Sequence, residues 1–376
     1  MIKERTVFVL GAGASWHYGY PTGEELVTKI IEAAERFANY CDHRVNSGQT
    51  IQVIPKYVER HFGAAGGGGA AIHGWSKVKE ECKLLIERLQ AVQPILIDHF
   101  LAWNESLRPI GRMMIAAAIL ECEAAKVVRK GWYRYIVHKL VYGCAQSADL
   151  FKNDMRFISF NYEASLEYHL FKALRSIDII KPDDARQFIT VDRIVHPYGC
   201  VHTDIPSDED FIDITVAKTL GEKFSTPLSF AKDFEPRQVF LDRCLAASEN
   251  LKTIDPHDKE QDDASLARAQ QWIRDAGVIY ILGYGFDANN NRRVGLWPTI
   301  KEASAKVVMF TNFGDMNTIN RKASSLLLGD YGHFSNLIPV GHPTGRYFEK
   351  SVRDVYDAFG QDFHALEGEL TGSTPI

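Results

Sequence analysis

The amino-acid sequence predicts an α/β protein with a doubly wound, parallel sheet and an inserted helical subdomain. Short runs of β-branched and other apolar residues recur along the chain and alternate with helical patterns, which is typical of a parallel sheet buried on both faces. A turn of small residues follows the first of these runs directly. A long stretch in the first half of the chain has apolar residues at three- and four-residue spacing and almost no strand signal, which indicates a separate group of helices.

Length and composition limit the class of protein. The chain has 376 residues, of which 45% are hydrophobic, enough for two domains or one elaborated domain. The net charge of −5 gives no basic footprint for nucleic acid. No apolar run reaches the roughly 18 residues of a membrane span, and the N-terminus shows no signal-peptide pattern. We therefore expect a cytoplasmic protein that binds neither a membrane nor nucleic acid directly.

The cysteines give information about metals and redox state. The six cysteines are scattered and contain no C-x-x-C pair. Such spacing disfavours a zinc site and is typical of reduced thiols in a cytosol. The sequence therefore predicts no bound metal.

The first predicted strand ends in a turn that is suited to a phosphate group. Its apolar residues are 7–10, and a helical pattern begins near Thr22. Between them lie Gly11, Ala12, Gly13, Ala14 and Ser15. Without a Cβ at the two glycines, the backbone can turn sharply and approach a pyrophosphate, whose charge is met by N–H groups and a helix N-terminus. Packing alone is the alternative, since Trp16 stands where a third glycine of the dinucleotide motif is expected.

Residues 41–150 are predicted to form the inserted helical subdomain. Apolar side chains recur at helical spacing from about residue 74 to residue 145. The glycine-rich residues 63–70 have no strand before them and are interpreted as a loop. Residues 1–40 and 151–376 then form the sheet domain, in which the polar residues 203–263 are interpreted mostly as solvated loops.

Further predicted strands end in polar or small residues. These strands cover residues 156–160, 193–195, 278–282 and 307–310. Because ligands bind beyond the carboxyl ends of the strands in such sheets, Asn161, His196 and Gly283 are site candidates. Each has a structural alternative. Asn161 could cap a helix, His196 could be an ordinary loop histidine, and Gly283 could be a packing glycine.

Four segments together resemble the sirtuin-like (SIR2-like) domains. In chain order they read Gly-Ala-Gly-Ala-Ser with Pro-Thr-Gly-x-x-Leu, Phe-Asn-Tyr-Glu-x-x-x-Glu, His-Pro-Tyr-Gly and Gly-Tyr-Gly-Phe-Asp. They begin at Gly11, Phe160, His196 and Gly283 and cover under a fifth of the chain. More narrowly, the chain is similar to bacterial sirtuin-like effectors of anti-phage defence that consume NAD+ and partner a HerA-type ATPase. The resemblance implies that the sheet domain is Rossmann-like.

The resemblance also implies roles for individual residues. Asn161 would position the nicotinamide ribose and a water, and Glu163 stands where the family usually has aspartate. In the family, the catalytic histidine directly precedes a glycine. Here Tyr198 precedes that glycine, Gly199, and the nearest histidine before it is His196. The base role is therefore transferred to His196, with His202 as second candidate. The residues assigned to NAD+ binding are Gly11, Ala12, Gly13, Ala14, Ser15, Pro21, Glu163, Tyr198, Gly199, Gly283, Gly285, Phe286 and Asn290.

The activity that the resemblance implies is hydrolysis of NAD+ to nicotinamide and ADP-ribose. A homo-oligomer and a HerA-type ATPase partner are expected, and the helical insertion is either an oligomer contact, a gate over the pocket or a completion of the core. Tyr198 in place of the family's histidine keeps open a non-catalytic sensor of NAD+ or ADP-ribose. Protein deacylation fits less well, because that branch usually holds a zinc ion with two C-x-x-C pairs.

Overall fold

Five parallel strands form one sheet in the part of the chain that the structure describes. The computed structural model describes residues 1–46, 57, 59, 67–123, 132–190, 192–206, 230–252, 264–296, 307–310 and 322. The strands are β1 (Thr6–Leu10), β2 (Met155–Ser159), β3 (Ile194–Val195), β4 (Val278–Leu282) and β5 (Val307–Phe310). All neighbouring strands pair in parallel, in the order β3-β2-β1-β4-β5. The predicted α/β class with a parallel sheet is confirmed.

The middle of the sheet is apolar and explains why these segments form strands. Every residue of β1 and of β4 is buried. Phe8 of β1 stacks between Phe157 and Tyr280 on the neighbouring strands, with ring centroids 5.1 and 5.0 Å apart. The chain passes from β1 to β2 and β3 on one side and then to β4 and β5 on the other. The direction of winding therefore reverses between β1 and β4.

Helices account for most of the remaining described residues. They are α1 (Gly23–Asn46), α2 (Gly67–Val92), α3 (Ile97–Trp103), α4 (Arg108–Glu123), α5 (Tyr133–Val141), α6 (Ser165–Leu174), α7 (Pro182–Thr190), α8 (Phe230–Asn250), α9 (Ala264–Asp275) and α10 (Ala288–Val294). Helices α2 to α5 agree with the predicted helical stretch between residues 74 and 145. None of the helices in the described ranges is long and apolar enough to cross a bilayer.

Two helices lie where the sequence predicted loops. Helix α2 begins at Gly67, inside the glycine-rich residues 63–70, of which 63–66 lie outside the described part. Helix α8 runs through residues predicted to be irregular. Its buried residues include Phe240, Leu241, Cys244 and Leu245, at helical spacing. This short apolar stripe was missed because strongly polar residues surround it in the sequence.

The chain divides into two compact units. The first, here the sheet unit, comprises Met1–Tyr18, Val128–Pro197 and Glu260–Ile376, and the second, the helical unit, comprises Gly19–Val127 and Tyr198–Lys259. The predicted division instead placed boundaries near residues 40 and 150. The difference has a physical reason, because α1 packs on α2 and α4, and α8 packs on α4, within the helical unit. Helix α5 packs on α6 within the sheet unit.

Candidate active site

The turns after β1 and β4 pack backbone against backbone. The N–H of Gly11 donates to the carbonyl of Leu282 at 2.9 Å, and the N–H of Gly13 donates to the carbonyl of Gly283 at 3.0 Å. A Cβ on Gly11 would lie 2.5 Å from the Gly283 oxygen. Gly283 has a φ of 58°, and a Cβ there would lie 2.0 Å from the nitrogen of Ala14. Close packing therefore requires glycine at these positions, as the structural alternative proposed.

Most N–H groups of the first turn already have acceptors. Besides the two glycines, Ala14 donates to the carbonyl of Gly11 at 2.9 Å, and Ser15 donates to the carbonyl three residues before it at 3.3 Å. The 3-10 helix Ala12–Ala14 is followed by another, Trp16–Tyr18, before the chain enters the helical unit. The predicted arrangement, in which N–H groups of this turn meet a pyrophosphate, is thus not preformed. Backbone carbonyls accept four of the five groups.

Asn161 connects the turns after β1 and β2 and keeps one unmet acceptor. Its side chain is buried, and its Nδ2 donates to Ser15 Oγ and to Glu163 Oε1, at 3.2 Å in each case. Its Oδ1 is buried and accepts no hydrogen bond from the residues that the structure describes. A buried acceptor without a donor is unfavourable, so this oxygen marks a place for a ligand or water.

Glu163 fixes the beginning of α6. Its carboxylate accepts the backbone N–H of Ser165, so Glu163, and not Asn161, satisfies the N-terminus of this helix. Burial raises the pKa of Glu163, hydrogen bonds from Ser165 oppose the rise, and the nearby Glu167 carboxylate adds to it. The hydroxyl of Tyr133 extends the network, 2.8 Å from Ser165 Oγ. Glu163 therefore has a structural task in addition to any contact with a ligand.

His196 follows β3 and is hydrogen-bonded through both ring nitrogens. Nδ1 lies 2.9 Å from the carbonyl oxygen of Asn161, and it carries a proton because a carbonyl can only accept. Nε2 lies 2.6 Å from Glu167 Oε1. Burial lowers the pKa of His196, but the Glu167 carboxylate and the hydrogen bonds to Glu167 and Asn161 outweigh burial and raise it above its ordinary value. Both ring nitrogens of His196 are therefore engaged, Nδ1 by a carbonyl and Nε2 by a carboxyl oxygen.

Glu167 is the site residue to which the sequence analysis assigned no role. It lies in the first turn of α6, with its side chain 13% exposed and Oε1 bonded to His196. Its Oε2 is buried and receives no hydrogen bond from any described residue. The motif Phe-Asn-Tyr-Glu-x-x-x-Glu contains Glu167, four positions after Glu163. Spacing alone could not show that it meets a histidine 29 residues away.

Four predicted site residues belong to the helical unit. They are Pro21, Tyr198, Gly199 and His202. Gly199 has a φ of 75°, and a Cβ there would lie 1.8 Å from the carbonyl oxygen of Asn250, so packing requires this glycine. His202 Nε2 lies 2.7 Å from Oε2 of Glu123, whose side chain is 1% exposed. Gly199 and His202 therefore have structural neighbours within their own unit.

The turn after β4 contains an open position and a strained one. Gly285 is exposed, and a Cβ there would meet nothing within 4 Å. Phe286 is buried and has a φ of 49°, which is uncommon for a residue other than glycine and is often found at functional sites. Asn290 is half-buried, and its N–H donates to Asp287 Oδ1. Asn291 is buried instead, with an amide that has no partner among the described residues, so it is a further candidate that the spacing did not select.

The site lies at the carboxyl ends of the strands in the sheet unit. The sheet unit holds residues 11–15, Asn161, Glu163, His196 and Gly283 of the predicted set, joined by the contacts described above. Among the described residues, no group of three or more His, Cys, Asp or Glu side chains is placed to hold a metal ion. No protein-family model, curated protein or solved structure matches this chain. The chemistry of the site therefore follows from its own groups, which include the unmet buried oxygens of Asn161 and Glu167 and the hydrogen-bonded pair of His196 and Glu167.

Proposed function

We propose that this protein is an NAD+ hydrolase that cleaves the bond between nicotinamide and ribose on a doubly wound, Rossmann-like sheet. The observation that carries the proposal is the group of Asn161, His196 and Glu167, which presents two buried, unmet acceptor oxygens beside the ends of β2 and β3. In open parallel sheets, ligands bind beyond the carboxyl ends of the strands. The resemblance to sirtuin-like domains suggests NAD+ as the ligand.

The groups of NAD+ and water complement the acceptors of the site. A ribose hydroxyl and a water molecule both donate hydrogen bonds. Asn161 Oδ1 and Glu167 Oε2 can each accept one, which removes the penalty of leaving buried acceptors unmet. Gly285 has open space where a side chain would stand, so a nucleotide can approach the backbone after β4.

Hydrolysis needs a fixed ribose and a positioned water. As the bond between C1′ and the nicotinamide nitrogen breaks, its electron pair neutralises the pyridinium ring, and an oxocarbenium ion develops on the ribose. The nearby Glu167 carboxylate favours this positive charge. A water held by the Asn161 amide oxygen is oriented for attack on C1′. The products are nicotinamide and ADP-ribose.

The biological role that the resemblance supports is depletion of NAD+ in the cytoplasm during anti-phage defence. An unregulated NAD+ hydrolase would kill its host, so its activity has to be restrained until a signal arrives. A homo-oligomer and a HerA-type ATPase partner are the assembly that we propose on the same resemblance. The helical unit is the candidate for these contacts.

A second candidate function is a sensor that binds NAD+ or ADP-ribose without turnover. The observation that favours it is that both ring nitrogens of His196, the base implied by the resemblance, are already hydrogen-bonded. A sensor would bind NAD+ in calorimetry and release no nicotinamide.

The test is release of nicotinamide from NAD+ by the purified full chain, alone and with any ATPase encoded beside it. We expect the wild type to release nicotinamide and Asn161→Ala to lose about 10²-fold or more, because water and ribose lose their acceptor. Asn104→Ala is the matched control. It removes an asparagine of the helical unit that is bonded to Arg88, and it should keep the wild-type rate. Binding of NAD+ without release would contradict the hydrolase, and full activity of Asn161→Ala would contradict the role given to Asn161.

A further inference from the structure

The proposed hydrolysis needs a group that takes the proton of the attacking water. We propose that Glu167 is this proton acceptor and that His196 is a positioning residue that holds Glu167 in place. The inference rests on the proposed function and assigns the roles within the same site. It reverses the roles implied by the family resemblance, in which the histidine is the base.

His196 has no nitrogen available for a further proton. Nδ1 donates to the carbonyl of Asn161 and Nε2 donates to Glu167 Oε1, over 2.9 and 2.6 Å. An imidazolium with both nitrogens protonated is a donor only. Its side chain is 12% exposed, so breaking either bond would leave a poorly solvated group unpaired. His196 therefore acts through its two bonds, which fix the positions of its partners.

Glu167 has one oxygen that is held and one that is available. The bond from His196 to Oε1 restrains the carboxylate, and Oε2 is buried without a donor among the described residues. A general base must have an accepting atom within hydrogen-bond reach of the proton that it removes. Of the groups bonded to His196, Glu167 is the one that offers an ionisable oxygen for this purpose.

Asn161 supplies the second contact for the water. The His196 ring links the backbone carbonyl of Asn161 to Glu167 Oε1, and the unmet oxygens of these two residues are the side-chain atoms Oδ1 and Oε2. A water that donates one O–H to Asn161 Oδ1 and the other to Glu167 Oε2 keeps its lone pairs for C1′. This use of both hydrogens orients the water for attack.

Titratable groups on neighbouring elements interact with the pair. Glu163 interacts with both Glu167 and His196, and Tyr133 interacts with Glu167. Burial raises the pKa values of Glu163 and Tyr133, and burial with Lys172 lowers the pKa of His169 to about 4. Lys172 donates to Tyr168. Burial and the Glu167 carboxylate thus push Glu163 toward its neutral form.

The reaction is balanced without an oxidant or a reductant. The bond from C1′ to the nicotinamide nitrogen breaks, and its electron pair stays on nicotinamide, which leaves neutral. The oxygen of water forms the new bond to C1′. One proton of the water passes to Glu167 Oε2 and then to solvent, which restores the carboxylate. NAD+ and water give nicotinamide, ADP-ribose and one proton.

Glu167→Gln tests the proton acceptor, because it keeps the shape of the side chain and removes its negative charge. We expect nicotinamide release to fall about 10²–10⁴-fold, the usual effect of deleting a general base. Glu123→Gln is the matched control. It removes the carboxylate of the other buried histidine–glutamate pair and should keep the wild-type rate. Thermal unfolding of both variants shows whether each is folded.

Chemical rescue separates a catalytic role from a structural one. Formate added to Glu167→Ala should restore part of the release, since a small carboxylate can take the proton in the space left by the side chain. Formate should not rescue Asn161→Ala. His196→Gln should lose less activity than Glu167→Gln, because it removes a positioning contact and keeps the carboxylate.

The outcomes distinguish the inference from the proposed function. Full activity of Glu167→Gln overturns the inference and leaves the hydrolase intact. The same holds if His196→Gln loses more activity than Glu167→Gln and formate fails to rescue Glu167→Ala. If the wild type binds NAD+ but releases no nicotinamide, the proposed function fails and the inference fails with it.

Discussion

The sheet unit and the helical unit each contain a largely buried histidine–glutamate pair, and the distance between the two side chains is nearly the same in both pairs. The distance from Nε2 to the carboxylate is 2.6 Å in His196–Glu167 and 2.7 Å in His202–Glu123. In both pairs, the second carboxylate oxygen has no donor among the described residues. Such a pair is therefore not sufficient to identify a catalytic site.

The two pairs differ in their surroundings. His196 is also bonded to the carbonyl of Asn161, which has an unmet amide oxygen of its own, at the carboxyl ends of parallel strands. His202 instead connects a loop to Glu123, the last residue of α4. We base the proposed chemical role of the His196 pair on its place at the carboxyl ends of the strands, beside the unmet amide oxygen of Asn161. In the helical unit, the pair links a loop to the end of α4 and has a structural role.

The largest effect on stability that we expect comes from breaking either pair. His196→Ala and His202→Ala should each lower the free energy of unfolding by about 3–5 kcal/mol, because a buried carboxylate loses its partner. Chemical denaturation measures both losses under the same conditions. If one variant loses almost no free energy of unfolding, its carboxylate is solvated, and the two pairs are not structurally equivalent.

Substitution of one glycine in each unit is expected to have different effects on stability. Gly199→Ala should lower the free energy of unfolding by about 3 kcal/mol, because its φ is positive and its Cβ would meet the carbonyl of Asn250. Gly285→Ala should remain within about 1 kcal/mol of the wild type. If NAD+ lies beside Gly285, Gly285→Ala should bind NAD+ more weakly than the wild type in calorimetry. Unchanged affinity would move the nucleotide away from the turn after β4.

The smallest effect concerns pH. The pKa of His196 is raised above its ordinary value of about 6.5, so its contribution to stability is full below about pH 6.5 and is lost as pH rises through the raised value. Each pKa unit corresponds to about 1.4 kcal/mol. The difference in the free energy of unfolding between the wild type and His196→Gln should therefore shrink as pH rises. Urea unfolding from pH 6 to pH 9 measures it, with His138→Gln, an exposed histidine, as control. A difference in the free energy of unfolding that stays constant with pH would contradict a protonated His196.

Much of the sheet could be predicted from sequence because its strands are short apolar runs that end in distinctive residues. The segments that form β1, β2, β3, β4 and β5 were all predicted to within one residue at either end. Local sequence patterns report burial on both faces well. They report less about a helix such as α8, whose apolar stripe is short and lies among polar residues.

The partners of the site residues could not be predicted, because they depend on contacts between distant parts of the chain. Glu167 was visible in a motif, but its bond to His196 spans 29 residues. His202 stood six residues from His196 and nevertheless belongs to the other unit, paired with a residue 79 positions away. Spacing also selected Asn290, whereas its neighbour Asn291 has the buried, unmet amide.

The most direct test of the central claim is to incubate the wild-type chain with NAD+ in water enriched in oxygen-18 and to analyse the products by mass spectrometry. A hydrolase that uses a water at the Asn161–Glu167 group predicts ADP-ribose with one oxygen-18 atom on its ribose, together with an equal amount of nicotinamide. NAD+ recovered unchanged, or ADP-ribose without the label, would contradict this mechanism.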